Sequence, residues 1–264
     1  MQSRTRFIAL GLACTVLAAC AHKDKNAPLA FVPADTPYVA ANLAVLDDDT
    51  RHALLAQADQ QLPSQLAQME AFATREQAHD ADAARLVRAF AAEFKGNTVE
   101  GFAQANGLDL KGRFAFYGEG MAPVLRVELS DPRAFEGFVG RLETAYGKKL
   151  DTASIGTLSY RRQVLPASGT EVILAVVGKQ MVAALLPADA ATPLLRETLG
   201  LDRPVKSLQD DGRLATLAGD KGYAKWLVGK LDLTRVLPLV VSGSDPLIAS
   251  IEKARANAES AKTG

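Results

Sequence analysis

The chain has two cysteines, Cys14 and Cys20, and both lie in its first twenty residues. Everything after Cys20 must fold without a thiol. No disulfide can staple it, no thiolate can serve as a nucleophile, and no cysteine-ligated metal site can form. The stability of this long stretch has to come from packing alone. The chain of 264 residues suits one large domain or two small ones, with enough length to bury a core unaided. Charge narrows the function classes. The 30 basic side chains equal the 30 acidic ones, so no overall basic excess marks the chain as a binder of nucleic acid or of an anionic membrane.

Arg4 and Arg6 precede an apolar run from Phe7 to Ala19. A spanning helix needs about 20 apolar residues, whereas the apolar core of a signal peptide needs roughly 7–15. The run closes with Leu17-Ala18-Ala19 directly before Cys20. This resembles a bacterial lipoprotein signal with its lipobox. The resemblance implies that residues 1–19 are removed and that Cys20 becomes the lipid-bearing first residue, a membrane anchor in an oxidising periplasm. In lipoproteins of this kind an Asp after the cysteine marks inner-membrane retention. Ala21 stands there instead, which implies the outer membrane. An ordinary membrane helix and an ordinary secretory signal are the alternatives; length opposes the first and the cysteine opposes the second. Loss of Arg4 and Arg6 leaves 28 basic groups against 30 acidic ones, a formal charge of −2. Residues 20–30 read as a polar, lipidated tether, and 31–264 as a single periplasmic domain.

Hydrophobic periodicity gives that domain its class. Tyr38 to Leu43 reads as a first strand. Asp47-Asp48-Asp49-Thr50 suits a helix start, with carboxylates at the positive end of the dipole; no calcium-loop spacing follows. Residues 50–94 then form a helical segment, with Leu62, Leu66, Met69 and Ala73, and later Leu86, Phe90 and Phe94, at helical spacing. Pro63-Ser64 suggests a break, and the polar stretch Thr74–Asp82 either an exposed length of helix or the turn of a helical hairpin. The segment reads as a helix pair covering a sheet or as a partner-binding arm. From Lys111 onward Phe114, Phe116, Leu125, Val127 and Leu129 alternate around Gly118-Glu119-Gly120 as a strand pair. Asp131-Pro132 caps a helix with Phe135, Phe138, Val139, Leu142 and Tyr146 on one face. Strand, turn, strand and capped helix recur with Leu158–Leu165, Val172–Val177, Met181–Leu186 and Thr192–Leu199, a weak pseudo-repeat of 111–147 in 157–200. Because Val172–Val177 is apolar on both sides, that strand should be covered on both faces. Tyr223–Leu231, with the single tryptophan Trp226, reads as a further strand. A helix follows through Val241, and a last one starts at Asp245-Pro246 with Leu247, Ile248 and Ile251 inward. The expected fold is α+β: a mostly antiparallel sheet of two hairpin-plus-helix units, helices on one face, and a helical segment after the first strand.

The segments Val32-Pro-Ala-Asp-Thr-Pro-Tyr38, Leu110-Lys-Gly112, Asp131-Pro-Arg-Ala-Phe135 and Gly222-Tyr223 to Asp232-Leu233 resemble the DUF3352-type family of bacterial envelope proteins of unknown function. The resemblance covers most of the mature chain and implies an envelope location. It carries no catalytic residues. Relatives of that group are often longer, which implies a shortened chain here.

Chemistry-bearing motifs are sparse. Gly147-Lys148 lacks P-loop spacing, Gly118-x-Gly120 lacks a third glycine, and no Gly-x-Ser-x-Gly elbow occurs. His22, His52 and His79 share no metal-ligand spacing. Glu119, Glu128 and Asp131 gather around the first hairpin, where paired carboxylates could do acid–base work or simply face solvent. Arg161-Arg162 puts one guanidinium on each face of a strand, for a surface pair, a buried carboxylate or an anionic ligand. The sequence therefore assigns no catalytic, cofactor or metal residue, and Cys20 alone as a lipid site. It points to a non-enzymatic binding or envelope-assembly role, with membrane contact through Cys20, an envelope partner through 50–94, and no nucleic acid. A periplasmic hydrolase with an unfamiliar site, or a carrier of an apolar ligand, are the alternatives.

Overall fold

The structure, a computed structural model, describes residues 24–78 and 80–263. The signal, Cys20, His22 and His79 therefore lie outside the described residues. Eight strands form one antiparallel sheet: β1 (Tyr38–Ala41), β2 (Phe114–Glu119), β3 (Ala122–Glu128), β4 (Asp151–Ile155), β5 (Leu158–Leu165), β6 (Thr170–Val177), β7 (Gln180–Pro187) and β8 (Val228–Leu231). Their order across the sheet is β4-β5-β6-β7-β3-β2-β1-β8. The expected α+β class, antiparallel sheet and helical segment after the first strand are all present.

Strands β4 to β7 run as one continuous meander, and β7 joins the β2–β3 hairpin by pairing with β3 (Val124 opposite Ala184, Val127 opposite Met181). Helix α4 (Pro132–Tyr146) follows β3 and α5 (Thr192–Leu199) follows β7. The two helices lie on opposite faces, so the expectation of helices on one face is corrected. On the first face Leu199 of α5 packs with Tyr117, Val124, Ile173, Val182 and Leu186. Helices α6 (Leu208–Asp211) and α7 (Arg213–Lys221) add Leu208, Leu214 and Ala218. On the second face Phe135, Phe138 and Val139 of α4 cover Leu174, Val176 and Met181. The cause is visible in β6 itself. Successive side chains point to opposite faces, and β6 has apolar groups at both parities.

The alternation in β2 and β3 is present, but its buried side is the reverse of the one the large side chains suggest. Ala115, Tyr117, Val124 and Arg126 are buried, whereas Phe116 is 41% exposed. Small residues and an arginine occupy the core side because Arg126 is itself held there by specific partners, described below.

Helix α1 (Asp48–Glu76) runs through Pro63 without a break. Proline removes one helical hydrogen bond, but Pro63 is exposed, so water can take the freed carbonyl. Asp47 caps α1 by accepting from Thr50 N at 2.8 Å. The hairpin turn falls between α1 and α2 (Ala81–Glu93), where Asp80 accepts from Ala83 N at 2.8 Å. Helix α2 packs on α4, so the pair is a second layer outside α4 rather than a direct cover of the sheet. Helix α3 (Val99–Ala105), not foreseen, brings Phe102 against Phe94 (ring centroids 3.8 Å) and Phe138 (5.6 Å). Asp131 caps α4 as expected, accepting from Arg133 N and Ala134 N at 2.8 and 3.2 Å.

Three further expectations change. The last strand begins only at Val228, leaving Trp226 in the loop before it. The final helix, α9 (Pro246–Thr263), buries Leu247 but exposes Ile251. The tether also ends early. Pro28–Phe31 forms a turn of 3-10 helix, and Ala27, Ala30 and Phe31 are buried. From Asp24 onward the chain belongs to the domain, because these small apolar groups have a groove to fill.

Phe135 is 6% exposed and central to the second-face core. Phe135→Ala should cost about 3–5 kcal/mol in denaturant unfolding. A loss within about 0.5 kcal/mol, the usual surface range, would contradict this packing.

Candidate functional site

The segment after the 3-10 turn climbs the first face. Leu208 N donates to Val32 O at 2.7 Å and Ala34 N to Lys206 O at 2.9 Å. It reaches the end of the sheet where β1 starts, β2 ends and β8 gives way to α8 (Leu233–Ser242). Between these elements and α5 opens a cleft of about 820 Å³, lined by Asp35, Thr36, Glu119, Glu197, Val205, Arg213, Arg235 and Leu239, among others.

Glu119 is the unusual group in it. Its position on β2 places it on the same side as Tyr117, in register with Ala122. Burial raises its carboxyl pKa to about 7, reinforced by the charges of Glu197 and Asp35 and opposed by that of Arg126. No hydrogen bond or ion pair holds this carboxyl among the described residues. Thr36, beside it, is already committed. Its hydroxyl lies 2.9 and 2.8 Å from the carbonyls of Tyr38 and Gly118 and accepts from Gly118 N at 3.2 Å. On the far wall Arg235 faces Asp35 at 3.7 Å and Asp232 at 3.6 Å. Lys206 binds Asp211 at 2.5 Å, and Arg213 also pairs with that carboxylate; together they hold the Asp211 pKa at about 2.

Behind the cleft lies Arg126, fully buried and without a carboxylate partner. Its Nη2 donates to Thr198 O at 2.7 Å, its Nη1 to Gln180 Oε1 at 3.2 Å and its Nε to Tyr117 Oη at 3.2 Å. The guanidinium sits 4.1 Å from the centre of the Phe31 ring, and Arg203 covers the same ring at 3.6 Å. Gly200 makes room for this stack. It has φ +75°, and a Cβ there would lie 2.6 Å from the Phe31 ring and 2.8 Å from Arg126 Nη2.

The structure separates the acidic residues that the sequence brought to one hairpin. Glu119 stands at the cleft end of β2. Glu128 lies at the opposite end, bound to Arg113 at 2.6 Å, and Asp131 is spent on its cap. Arg162 meets the buried Glu171 at 2.5 Å, and Arg161 meets Glu136 and Glu143 at 2.5 and 3.1 Å. His52 is exposed. No group of three or more His, Cys, Asp or Glu suited to a metal ion occurs among the described residues. No helix among them is long and apolar enough to cross a membrane.

No protein-family model matches the chain, and neither the curated proteins nor the solved structures hold a match to it.

Two outcomes test this geometry. Gly200→Ala should lose about 1–3 kcal/mol, from left-handed backbone strain and the clash with Phe31, read by thermal unfolding. Glu119 tests the cleft's electrostatics. A carboxyl with a raised folded pKa gives up stability as pH climbs from its unfolded value, 4.5, through about 7. The full effect is about 3 kcal/mol at most. Glu119→Gln should therefore match the parent near pH 4.5 and melt higher at pH 8. Equal melting temperatures at both pH values would show that Glu119 is well solvated.

Proposed function

We propose that this protein is a lipoprotein anchored in the outer membrane through Cys20, facing the periplasm, where it binds another envelope protein without catalysing a reaction. The lipobox pattern, an apolar run of signal-peptide length closed by Leu17-Ala18-Ala19-Cys20, supports both the anchor and the envelope location.

The observation that carries the binding role is α8. Its sequence, LTRVLPLVVS, is apolar on most sides, and none of its residues is buried. Leu233 and Leu237 are each 56% exposed and Val241 is 83% exposed. Contiguous apolar surface of this kind on a folded domain marks an interaction site. Arg235, Pro238 and Leu239 of the same helix line the cleft, so the apolar surface and the cleft form one continuous region. Both signs of charge around it, Asp35 and Glu197 against Arg213 and Arg235, suit a polypeptide partner more than a single small ion. The hairpin 50–94 offers a second surface through Leu54, Phe72 and Leu86, each near 40% exposed; polar neighbours interrupt it.

A hydrolase reading draws on one observation, the near-neutral pKa of Glu119, which suits general acid–base work. Against it, Thr36, the hydroxyl beside Glu119, is tied into the strand ends and makes a poor nucleophile. An apolar carrier would need an enclosed, dry pocket, and this cleft is open and charged.

The test uses photo-crosslinking in intact cells from position 237, with position 54 on the hairpin in parallel. A defined envelope protein captured from position 237, and lost on Leu233→Lys, is expected. Capture from position 54 alone would move the partner to the hairpin. Turnover of an ester, peptide, phosphate or glycan substrate that Glu119→Gln abolishes would overturn the non-enzyme reading. For the anchor, Cys20→Ser should accumulate as unlipidated precursor. A cleaved, soluble Cys20→Ser chain would overturn it.

A further inference from the structure

The anchor does more than tether the domain if the chain between it and the fold is short. Asp24 is already fastened: its carboxylate meets Arg113 at 2.5 Å, and its carbonyl accepts from Gln209 at 3.1 Å. The next two carbonyls are held as well, Lys25 O by Arg203 at 2.8 Å and Asn26 O by Gln180 at 2.5 Å. From Cys20 to Asp24 is four residues, which span about 14 Å at most when fully extended. A lipid on Cys20 would thus hold one particular end of the sheet against the bilayer. It is the end where β1 and β3 finish and β2, β7 and β8 begin.

The loop before β8 is fixed at that same end. Leu43 N and Ala44 N both donate to Lys225 O, at 2.7 and 3.1 Å. By strand spacing β8 lies about 10 Å from β2, whose first residues adjoin Arg113 and its Asp24 partner. The loop exposes Tyr223 (50%), Trp226 (44%) and Leu227 (47%). Lys225, within the loop, is exposed as well. Tryptophan and tyrosine settle where one end of the ring is apolar and the other wet.

We infer that the Tyr223–Leu227 loop is a membrane-docking foot that seats its exposed aromatic and apolar side chains in the headgroup region of the bilayer that holds Cys20. β2 separates this end from the cleft by its own length, roughly 17–20 Å. Docking therefore points Glu119 and α8 away from the bilayer. The inference rests on acylation of Cys20, and the experiment keeps the two apart.

Trp226 is the only tryptophan, so its fluorescence reports on the foot alone. The full acylated chain is reconstituted into vesicles of phosphatidylethanolamine with one quarter phosphatidylglycerol, after mass spectrometry of the N-terminal peptide. Expected are a blue-shifted emission, several-fold quenching by lipids brominated high on the acyl chain, and weaker quenching in the double variant Tyr223→Ser/Leu227→Ser. Emission that aqueous iodide quenches and brominated lipid does not, on a chain shown to be acylated, overturns the foot and leaves the anchor standing. Quenching unchanged by the double variant overturns the role of the loop's apolar side chains. A Cys20 found without lipid overturns the anchor reading instead.

Discussion

The arrangement hangs on one buried cation. Arg126 sits at the centre of the sheet with no carboxylate to neutralise it, where an isolated charge would be prohibitive. Its partners make it tolerable, and each belongs to a different element. Tyr117 comes from β2 and Gln180 from β7. Thr198 O lies at the end of α5, where the helix dipole is negative. Phe31, from the N-terminal segment, lays its ring over the guanidinium, a contact that gains strength when desolvated. Removing any one of them leaves a buried charge short of compensation, which is far costlier than losing an ordinary contact. Gln180 works on both sides: its Oε1 accepts from Arg126 and its Nε2 donates to Asn26 O. The network therefore specifies where the N-terminal segment docks as well as how the strands meet.

That network also explains where the sequence could and could not be read. Periodicity located β2, β3, β5, β6, β7 and α4, because a period of two or 3.6 survives whatever the side chains face. It does not give the side. Phe114, Phe116, Leu125 and Val127 outweigh Ala115, Tyr117, Val124 and Arg126 on any hydrophobic scale, yet the second set is the core. An arginine facing inward is legible only once Tyr117, Gln180 and Thr198, distant in sequence, are seen to converge. Short elements escaped for a related reason. Asp151–Ile155 shows little apolar content because it is an edge strand, and Val99–Ala105 is too brief to show a helical period. Pro63 was over-read, since a proline on a solvated helix face breaks less than its propensity suggests.

The cleft was illegible for the same physical reason as the core. Glu119, Glu128 and Asp131 are close in sequence, but a hairpin puts strand ends far apart while joining its turn to unrelated loops. Glu119 acquires its character first from burial, then from Glu197 and Asp35 acting against Arg126, and of these residues only Arg126 is within ten positions of it. The exposed apolar face of α8, by contrast, was present in the sequence as a helix. What it lacked was the information that nothing in the described chain covers it.

The cleft and Arg126 are electrically one system. Ionised Glu119 would stand near the buried guanidinium and partly offset it, but burial and the neighbouring carboxylates push the other way, toward the neutral acid. The two tendencies nearly balance around pH 7. Below that Glu119 is a neutral acid and Arg126 relies on its hydrogen bonds and the Phe31 ring alone. Above it the carboxylate forms, at a cost in stability and with a gain in attraction for a basic partner group. A domain held together by packing alone, without a disulfide, can carry such a strained group only if the surrounding core is rigid. The Phe31 stack and the α5 terminus supply that rigidity directly behind the cleft, where a binding surface needs it most.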